Sequence, residues 1–408
     1  MKIFTWKKSI LYSVIITVLL FGFFLTKKEN FDDSINERHL NLVKKNLDDA
    51  FSNKDFFWPK TISDGEKNYN VVYTFNKKLF DFSKKLLRRH SGDYSSIIVI
   101  DNNSGKILAA AGYERKGKNY IPSLPFSSTH PSASLFKIIT TAELLENSAV
   151  DQNTIFSFNG KGSTLYKYQL KDKSNKWTRR WSLKKAFAYS NNVIFGKAAI
   201  RNISGTGIFK KAMDFGFNSN LIDEMSVSKS IFMMPENQYN LAELASGLTR
   251  KTLISPVHGA LLASVIANDG VMKYPRLVEK IVTDEADGAV WNNLERSKRV
   301  IGKNTSVKIK QMMRMAIKRG TARGLFRKLK LKYRTTLDIG GKTGSITGGV
   351  PFGKRDWLTL YAKPIDSKED KGISICIMNI NLKKWYVKST YLAKRIIEYY
   401  FDDISPTG

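Results

Sequence analysis

Three short motifs bring together a hydroxyl, an amine and an amide, the groups that serine-based nucleophilic catalysis needs. They are S-L-F-K at residues 134–137, S-N-N at 190–192 and G-K-T-G-S at 341–345. A serine hydroxyl is a strong nucleophile only when a base takes its proton, and a lysine amine can be that base only when it is neutral. Other S-x-x-K and S-x-N matches occur by chance, so the ordered set carries the argument.

The first motif opens an amphipathic stretch at residues 134–147, with Pro131 shortly before it as a helix-start signal. Lys137 follows Ser134 by three residues, so both side chains lie on one face of the predicted helix. Burial and a nearby cation, for which Lys342 is the candidate, would lower the pKa of the Lys137 amine. Backbone N–H groups of the first turn could face an oxyanion. The alternative is an ordinary helix with a serine cap and a surface lysine.

The second motif interrupts an apolar segment at residues 181–200. Small polar residues compete for backbone hydrogen bonds, so the pattern predicts a loop between two helices. The Ser190 hydroxyl could relay a proton between Lys137 and a leaving amine, and the Asn192 amide could hold a substrate carbonyl. A helix-capping turn without a catalytic role is the alternative.

The third motif continues the alternating segment TTLDI at residues 335–339, which predicts a strand with glycines where another backbone or a ligand approaches. Lys342 would place a positive charge that suits a substrate carboxylate, and Thr343 and Ser345 could donate hydrogen bonds to it. The Ser345 N–H could be a second oxyanion donor. A glycine-rich hairpin with an incidental lysine is the alternative.

Further segments extend the pattern, and with the motifs they resemble the penicillin-binding protein family in its transpeptidase domain, over roughly residues 70–400. The residues around S-N-N are similar to the family's own segment. The others are similar to its opening hairpin, its proline-initiated helix ending in A-N-x-G, its G-T-A turn and the strand after K-T-G: residues 95–113, 248–278, 318–326 and 356–364. Early strands, a central helical block and late strands predict an α+β fold, an antiparallel sheet packed with helices plus an α-rich lobe.

The resemblance implies a serine acyl-transferase that acts on peptidoglycan stem peptides. Ser134 would attack the D-Ala-D-Ala carbonyl and expel the terminal D-alanine, with Lys137 as general base. The remaining implied site residues are the proton relay Ser190, the positioning amide Asn192, and the carboxylate-binding or substrate-binding set Lys342, Thr343, Gly344 and Ser345. The acyl-enzyme would pass to an amine, giving a cross-link, or to water. β-Lactams would acylate the same serine.

Two segments depart from the family pattern. The residue before the nucleophile is Ala133, where the family usually has Pro-Gly, and the glycine-rich turn expected ahead of the next helix reads LASGL at residues 244–248. Neither departure removes a reacting group. Both leave the cleft width and the reaction rate open.

Residues 9–26 contain 18 residues without a charge, enough for one membrane span. The flanking charges place the N-terminus in the cytoplasm, and no small-x-small cleavage site follows, which favours an uncleaved anchor over a signal peptide. The predicted organisation is a cytoplasmic tail at 1–8, the anchor at 9–26, a juxtamembrane stalk at 27–70 and the transpeptidase domain at 71–408. The catalytic domain would lie on the extracytoplasmic side of the cell membrane.

Composition narrows the remaining classes. The formal net charge is +31, yet the basic residues are dispersed. We therefore expect the charge to favour binding to an anionic bilayer or wall polymer rather than to nucleic acid. The alternative is a general compositional bias without a binding role. The single cysteine, Cys376, and four scattered histidines lack metal-ligand spacing, so we predict no metal and no cofactor.

The predicted stalk leaves no room for a glycosyltransferase domain, so a separate glycan polymerase would be a partner. The competing functions are a DD-carboxypeptidase, a β-lactamase or β-lactam sensor on the same fold, and a non-catalytic scaffold in wall synthesis.

Overall fold

The computed structural model describes residues 36–52, 57–283, 288–365 and 372–404. The chain forms two compact units. Of the described residues, the smaller unit contains those up to Val72, the short insert Asp223–Met225 and those of the segment Val278–Asn293, and the larger unit contains the others. The anchor predicted at 9–26 lies outside the described residues. Within the described ranges, no helix is long and apolar enough to cross a membrane.

The described residues form sixteen strands, which are β1 (Thr61–Ser63), β2 (Asn68–Tyr73), β3 (Tyr94–Asp101), β4 (Ile107–Glu114), β5 (Asn119–Tyr120), β6 (His130–Pro131), β7 (Ile155–Phe158), β8 (Arg179–Ser182), β9 (Leu253–Ile254), β10 (Val271–Lys273), β11 (Val278–Val282), β12 (Ala289–Asn292), β13 (Ser297–Arg299), β14 (Leu337–Gly348), β15 (Gly353–Pro364) and β16 (Ile373–Asn381).

The α-helices of the described ranges are α1 (36–51), α2 (Lys77–Arg89), α3 (Lys137–Asn147), α4 (Leu183–Ala188), α5 (Asn192–Asn202), α6 (Gly205–Asp214), α7 (Gln238–Ser246), α8 (Pro256–Ala267), α9 (Lys303–Lys318), α10 (Arg323–Lys328), α11 (Leu331–Thr336) and α12 (Ser389–Tyr399). Short 3-10 helices lie at Leu124–Phe126, Ala133–Phe136 and Lys167–Leu170, and a π-helical turn follows α12 at Tyr400–Ile404.

The smaller unit is a four-stranded sheet in the order β1-β2-β11-β12, together with α1. Part of the predicted stalk is the helix α1, in which Val43 and Leu47, four residues apart on one face, are both fully buried. The side chain of Asn46 donates to the Ser63 carbonyl and ties α1 to β1.

The larger unit is built on a six-stranded antiparallel sheet in the order β14-β15-β16-β3-β4-β5. Alternate residues of β16 point to opposite faces. Ile375 and Ile377 belong to the cluster that contains the apolar sides of α2 and α12, whereas Cys376 faces Gly259 of α8. Because helices cover both faces, every residue of β16 is buried. This is the α+β arrangement that the sequence predicted.

Two boundary predictions need correction. The predicted helix at 134–147 begins as a 3-10 turn over Ala133–Phe136, and α3 starts only at Lys137. The segment 335–339 was expected to be a strand, but Thr335 and Thr336 end α11 and the strand begins at Leu337. The two threonine hydroxyls donate back to the carbonyls of Leu331 and Lys332, which satisfies that helix end locally.

Candidate active site

Ser134 lies on a tight turn that a hydrogen bond links to the central sheet. Ala133 has φ of +50°, a conformation that costs a non-glycine residue about 1 kcal/mol or more. Pro131, in the short strand β6, accepts a 3.1 Å hydrogen bond from Nε1 of the buried Trp357 on β15. The turn is therefore fixed to the strand that pairs with the K-T-G motif, and Ser134 stays partly exposed.

Lys137 is fully buried directly behind Ser134. Its Nζ lies 2.9 Å from Ser134 Oγ and 2.8 Å from Asn192 Oδ1, and it also contacts the Ser246 carbonyl oxygen. A neutral amine has two N–H donors and one lone pair. The two carbonyl-type oxygens can take both donors, which leaves the lone pair to accept the Ser134 hydroxyl proton. This arrangement can generate a serine nucleophile.

The S-N-N motif connects α4 to α5, as predicted. Asn191 caps α5 by accepting the Ile194 N–H at 3.0 Å, and Ser190 takes a left-handed φ of +55°. The Asn192 side chain joins two parts of the site, since its Oδ1 contacts Lys137 and its Nδ2 donates to the Ser163 carbonyl at 2.7 Å. The amide is thereby held in one orientation.

Lys342 is fully buried on β14, and its Nζ donates to Ser190 Oγ at 3.0 Å and to the Thr343 carbonyl at 2.8 Å. Burial lowers the pKa of Lys342 to about 7. Burial, and then the charge of Lys342, lower the pKa of Lys137 well below its usual range. The two amines therefore suit a neutral Lys137 beside a Lys342 that can carry charge.

One cavity of about 1190 Å³ joins the three motifs. Ser134, Ser190, Asn192 and the Thr343-Gly344-Ser345 segment line it, and the two lysines lie beneath its surface. A Cβ on Gly344 would lie 3.0 Å from the Ala133 Cβ and 3.3 Å from the Ser134 nitrogen, so glycine lets β14 approach the nucleophile. All eight predicted site residues therefore share one site.

Comparison with known proteins places this site in a family. Residues 95–367 match the model of the penicillin binding protein transpeptidase domain. The chain belongs to this family. A search of curated proteins found no match.

Solved structures share the fold of this penicillin-binding family member. Penicillin-binding protein A of Mycobacterium tuberculosis aligns with a TM-score of 0.62 and 19% identity over 81% of this chain and 82% of its own. Its penicillin G acyl-enzyme complex aligns with a TM-score of 0.61 and 19% identity over 81% and 79%. The D,D-transpeptidase domain of a peptidoglycan glycosyltransferase from Eggerthella lenta gives 0.65 and 21% identity over 82% and 83%.

Sequence reasoning missed Ser246 and Gly247, which follow one another at the end of α7. The Ser246 carbonyl accepts from Lys137, and Gly247 ends the helix with φ of +71°. A Cβ on Gly247 would lie 2.0 Å from the Ala133 carbonyl oxygen and 2.8 Å from the Ser134 nitrogen. The segment LASGL contained the signal, because a glycine after a helical pattern is a common C-cap.

Replacing Gly247 with alanine is expected to lower the rate of acylation by penicillin at least about 100-fold, the usual effect of losing one oxyanion donor. The new methyl group would displace the Ala133–Ser134 peptide, and the left-handed φ adds strain. The measurement is the second-order rate of fluorescent penicillin labelling. Gly288→Ala is the control, because, its chain neighbours aside, no atom of the described residues lies within 4 Å of its added Cβ. Equal rates for both variants would show that Gly247 is not needed to position the Ala133–Ser134 peptide.

The pH dependence of acylation should be bell-shaped, with apparent pKa values that belong to the lysine pair. The rate should fall at low pH as Lys137 gains a proton, and it should fall above about pH 7 as Lys342 loses the charge that would attract the penicillin carboxylate. Lys342→Met should remove the basic limb. It should also move the acid limb to higher pH, because the charge of Lys342 lowers the pKa of Lys137. An unmoved acid limb would show that the two amines do not interact.

Proposed function

We propose that this chain is a serine DD-transpeptidase that cross-links peptidoglycan stem peptides through an acyl-enzyme on Ser134. The observation that carries the proposal is the hydrogen-bond arrangement of Lys137, whose two other partners leave its lone pair for the Ser134 hydroxyl. A merely structural buried lysine would need no nucleophile at 2.9 Å.

In the acylation step, Ser134 Oγ bonds to the carbonyl carbon of a D-Ala-D-Ala peptide while its proton passes to Lys137. The backbone N–H groups of Ser134 and Ser345 would receive the oxyanion. The C–N bond then breaks, and the leaving D-alanine amine takes the Ser134 proton from Lys137 by way of Ser190. Lys342 holds the Ser190 hydroxyl in place at 3.0 Å. Thr343, Ser345 and the charge of Lys342 would hold the carboxylate of that D-alanine, and the Asn192 amide would hold the peptide carbonyl.

In the second step an amine from a neighbouring peptide replaces D-alanine, and the serine ester becomes an amide cross-link. Water in the same position would give carboxypeptidase activity. Among the described residues that line the cavity, Asp356 is the single carboxylate. Its Oδ2 already accepts a hydrogen bond from the Ser389 N–H at 2.7 Å. A cavity without a poised carboxylate favours slow hydrolysis, and therefore argues for a penicillin-binding enzyme over a β-lactamase.

β-Lactams would acylate Ser134 by the same step, as the penicillin G complex of the mycobacterial protein illustrates for that relative. We further propose the organisation expected from the sequence: an anchor at residues 9–26, a stalk at 27–70 and an extracytoplasmic catalytic domain at 71–408. A membrane-bound glycan polymerase would supply the strands to be cross-linked.

The test is to incubate the protein with fluorescent penicillin, locate the adduct by mass spectrometry of its peptides, and follow the label for hours. We expect a long-lived adduct on Ser134. With a D-Ala-D-Ala peptide and an amine acceptor, we expect an amide product in excess of the hydrolysis product. Rapid release of the label would indicate a β-lactamase, and hydrolysis alone a carboxypeptidase. No label on a folded protein would overturn the catalytic proposal and favour a scaffold.

A further inference from the structure

One end of the catalytic cavity is lined by basic side chains from α10 and from the start of α12. This surface, here named the basic arm, consists of Arg323, Arg327, Lys328, Lys388 and Lys394. Among the described residues that line the cavity, the one acidic residue is Asp356. Its carboxylate accepts a hydrogen bond from the Ser389 N–H. The arm therefore presents a positive surface to anything that enters the cavity from this end.

The basic arm is fixed next to the end of the site that would hold a carboxylate. The Thr321 and Thr343 hydroxyls lie 2.6 Å apart, which ties the turn before α10 to the K-T-G motif. On the other side, the Ser389 N–H bonds Asp356, which is paired directly opposite Ser345 in the β14–β15 register. Arg323 lies two residues after Thr321, and Lys388 lies one residue before Ser389. The basic side chains thus flank Thr343 and Ser345.

The two arginines of α10 have no ion-pair partner among the described residues. Arg323 and Arg327 are exposed, and neither forms an ion pair with a residue of the described ranges, whereas Lys394 contacts Glu398 at 2.7 Å. Four residues apart on one helix, the two guanidinium groups face the same side and repel each other. An anionic ligand would relieve that repulsion, and two guanidinium forks suit carboxylates in particular.

The chemistry of the second half-reaction identifies the substrate that enters here. An acceptor amine must attack the acyl carbon along the path by which the leaving amine departed, since aminolysis is the reverse of acylation with a different amine. Under the proposed function, the leaving D-alanine keeps its carboxylate at Thr343 and Ser345. The acceptor amine therefore arrives from that side, where the basic arm lies.

We propose that the basic arm binds the acyl-acceptor strand through a carboxylate beyond the one held by Thr343 and Ser345. The preferred acceptor is an amine that carries at least two carboxylates. A positive surface would also disfavour the ammonium form and so increase the fraction of neutral, nucleophilic amine. In the transfer the ester bond between the acyl carbon and Ser134 Oγ breaks, a C–N bond forms, and the amine proton returns to Oγ by way of Ser190 and Lys137.

This inference rests on the proposed function, and it is tested by partitioning of the acyl-enzyme. The full chain is acylated with a D-Ala-D-Ala peptide in the presence of D-2-aminoadipate or its side-chain amide, which share the amine and the α-carboxylate. The ratio of aminolysis to hydrolysis is measured by mass spectrometry. We expect the diacid to be preferred by up to about five-fold, as for an exposed ion pair, and the preference to fall in high salt.

The variant Arg323→Glu with Arg327→Glu should lose this preference while it still forms the acyl-enzyme with fluorescent penicillin. The matched control is Lys210→Glu with Lys229→Glu, an equal change of charge at exposed positions away from the cavity lining. It should keep the preference. Equal use of both acceptors by the wild type, or equal loss in the control, would overturn the inference while acylation persists. Failure of the wild type to form any acyl-enzyme would remove the proposed function and the inference with it.

Discussion

Replacing Ser134 with alanine is expected to abolish covalent labelling by penicillin and to lower peptide turnover by at least about 10⁴-fold. The hydroxyl is the one nucleophile within 2.9 Å of the buried Lys137 amine among the described residues, and water cannot form the stable ester. Intact-protein mass spectrometry of the full chain with excess penicillin measures the loss directly. The melting temperature should change by only a few degrees, because Ser134 is partly exposed.

Ser132→Ala is the matched control for this variant. Ser132 lies two residues earlier in the same turn, is fully buried, and its hydroxyl has no hydrogen-bond partner among the described residues. Its loss removes no interaction from the reacting groups, so labelling should stay within about two-fold of wild type. Stoichiometric label on the Ser134→Ala protein would instead assign the nucleophile to another residue, and Ser190 would be the first candidate to examine.

The local patterns of this chain were sufficient to predict much of the fold. The hairpin that the family resemblance implied at 95–113 is β3 and β4. The segment around S-N-N does separate two helices, as its small polar residues within an apolar stretch predicted. The start of α3 was predicted less well. The turn before it is a 3-10 helix. That turn depends on the left-handed backbone of Ala133 and on the hydrogen bond from Trp357 of β15 to Pro131, and neither feature has a local signature in the sequence.

The same distinction holds for the site. The motifs identified the reacting side chains, since each motif is a local pattern. They did not reveal the groups that orient those side chains. Ser246 lies 109 residues from its partner Lys137, and Arg355, which contacts His130 beneath the nucleophile turn, is a fully buried cation. Charged residues are rarely fully buried, so sequence reasoning places such an arginine at the surface.

Replacing Lys137 with methionine is expected to slow acylation by about 10³-fold without unfolding the protein. Removal of a general base typically costs 10²–10⁴ in rate. Methionine fills a similar volume and needs no hydrogen bond, which suits a fully buried position, although Asn192 Oδ1 and the Ser246 carbonyl each lose a donor. The rate of fluorescent penicillin labelling reports the chemistry, and thermal unfolding reports the structural cost.

A second buried lysine separates the loss of the base from the structural cost of replacing a buried lysine with methionine. Lys197, on α5, is 2% exposed and pairs with Asp172 at 3.2 Å, outside the cavity lining. Lys197→Met should therefore affect stability but keep the acylation rate near wild type.

The pH profile of acylation shows whether Lys137 is the general base or only supports the packing around Ser134. If Lys137 is the base, the residual acylation of Lys137→Met must lose the acid limb, because the group whose protonation causes that limb is gone. A slow variant that retains the limb would instead place the base function on the remaining amine, Lys342, acting through Ser190 at 3.0 Å. The two outcomes differ in the shape of the profile and not only in its height. A general loss of packing around Ser134 lowers the height alone, so it cannot imitate the loss of the acid limb.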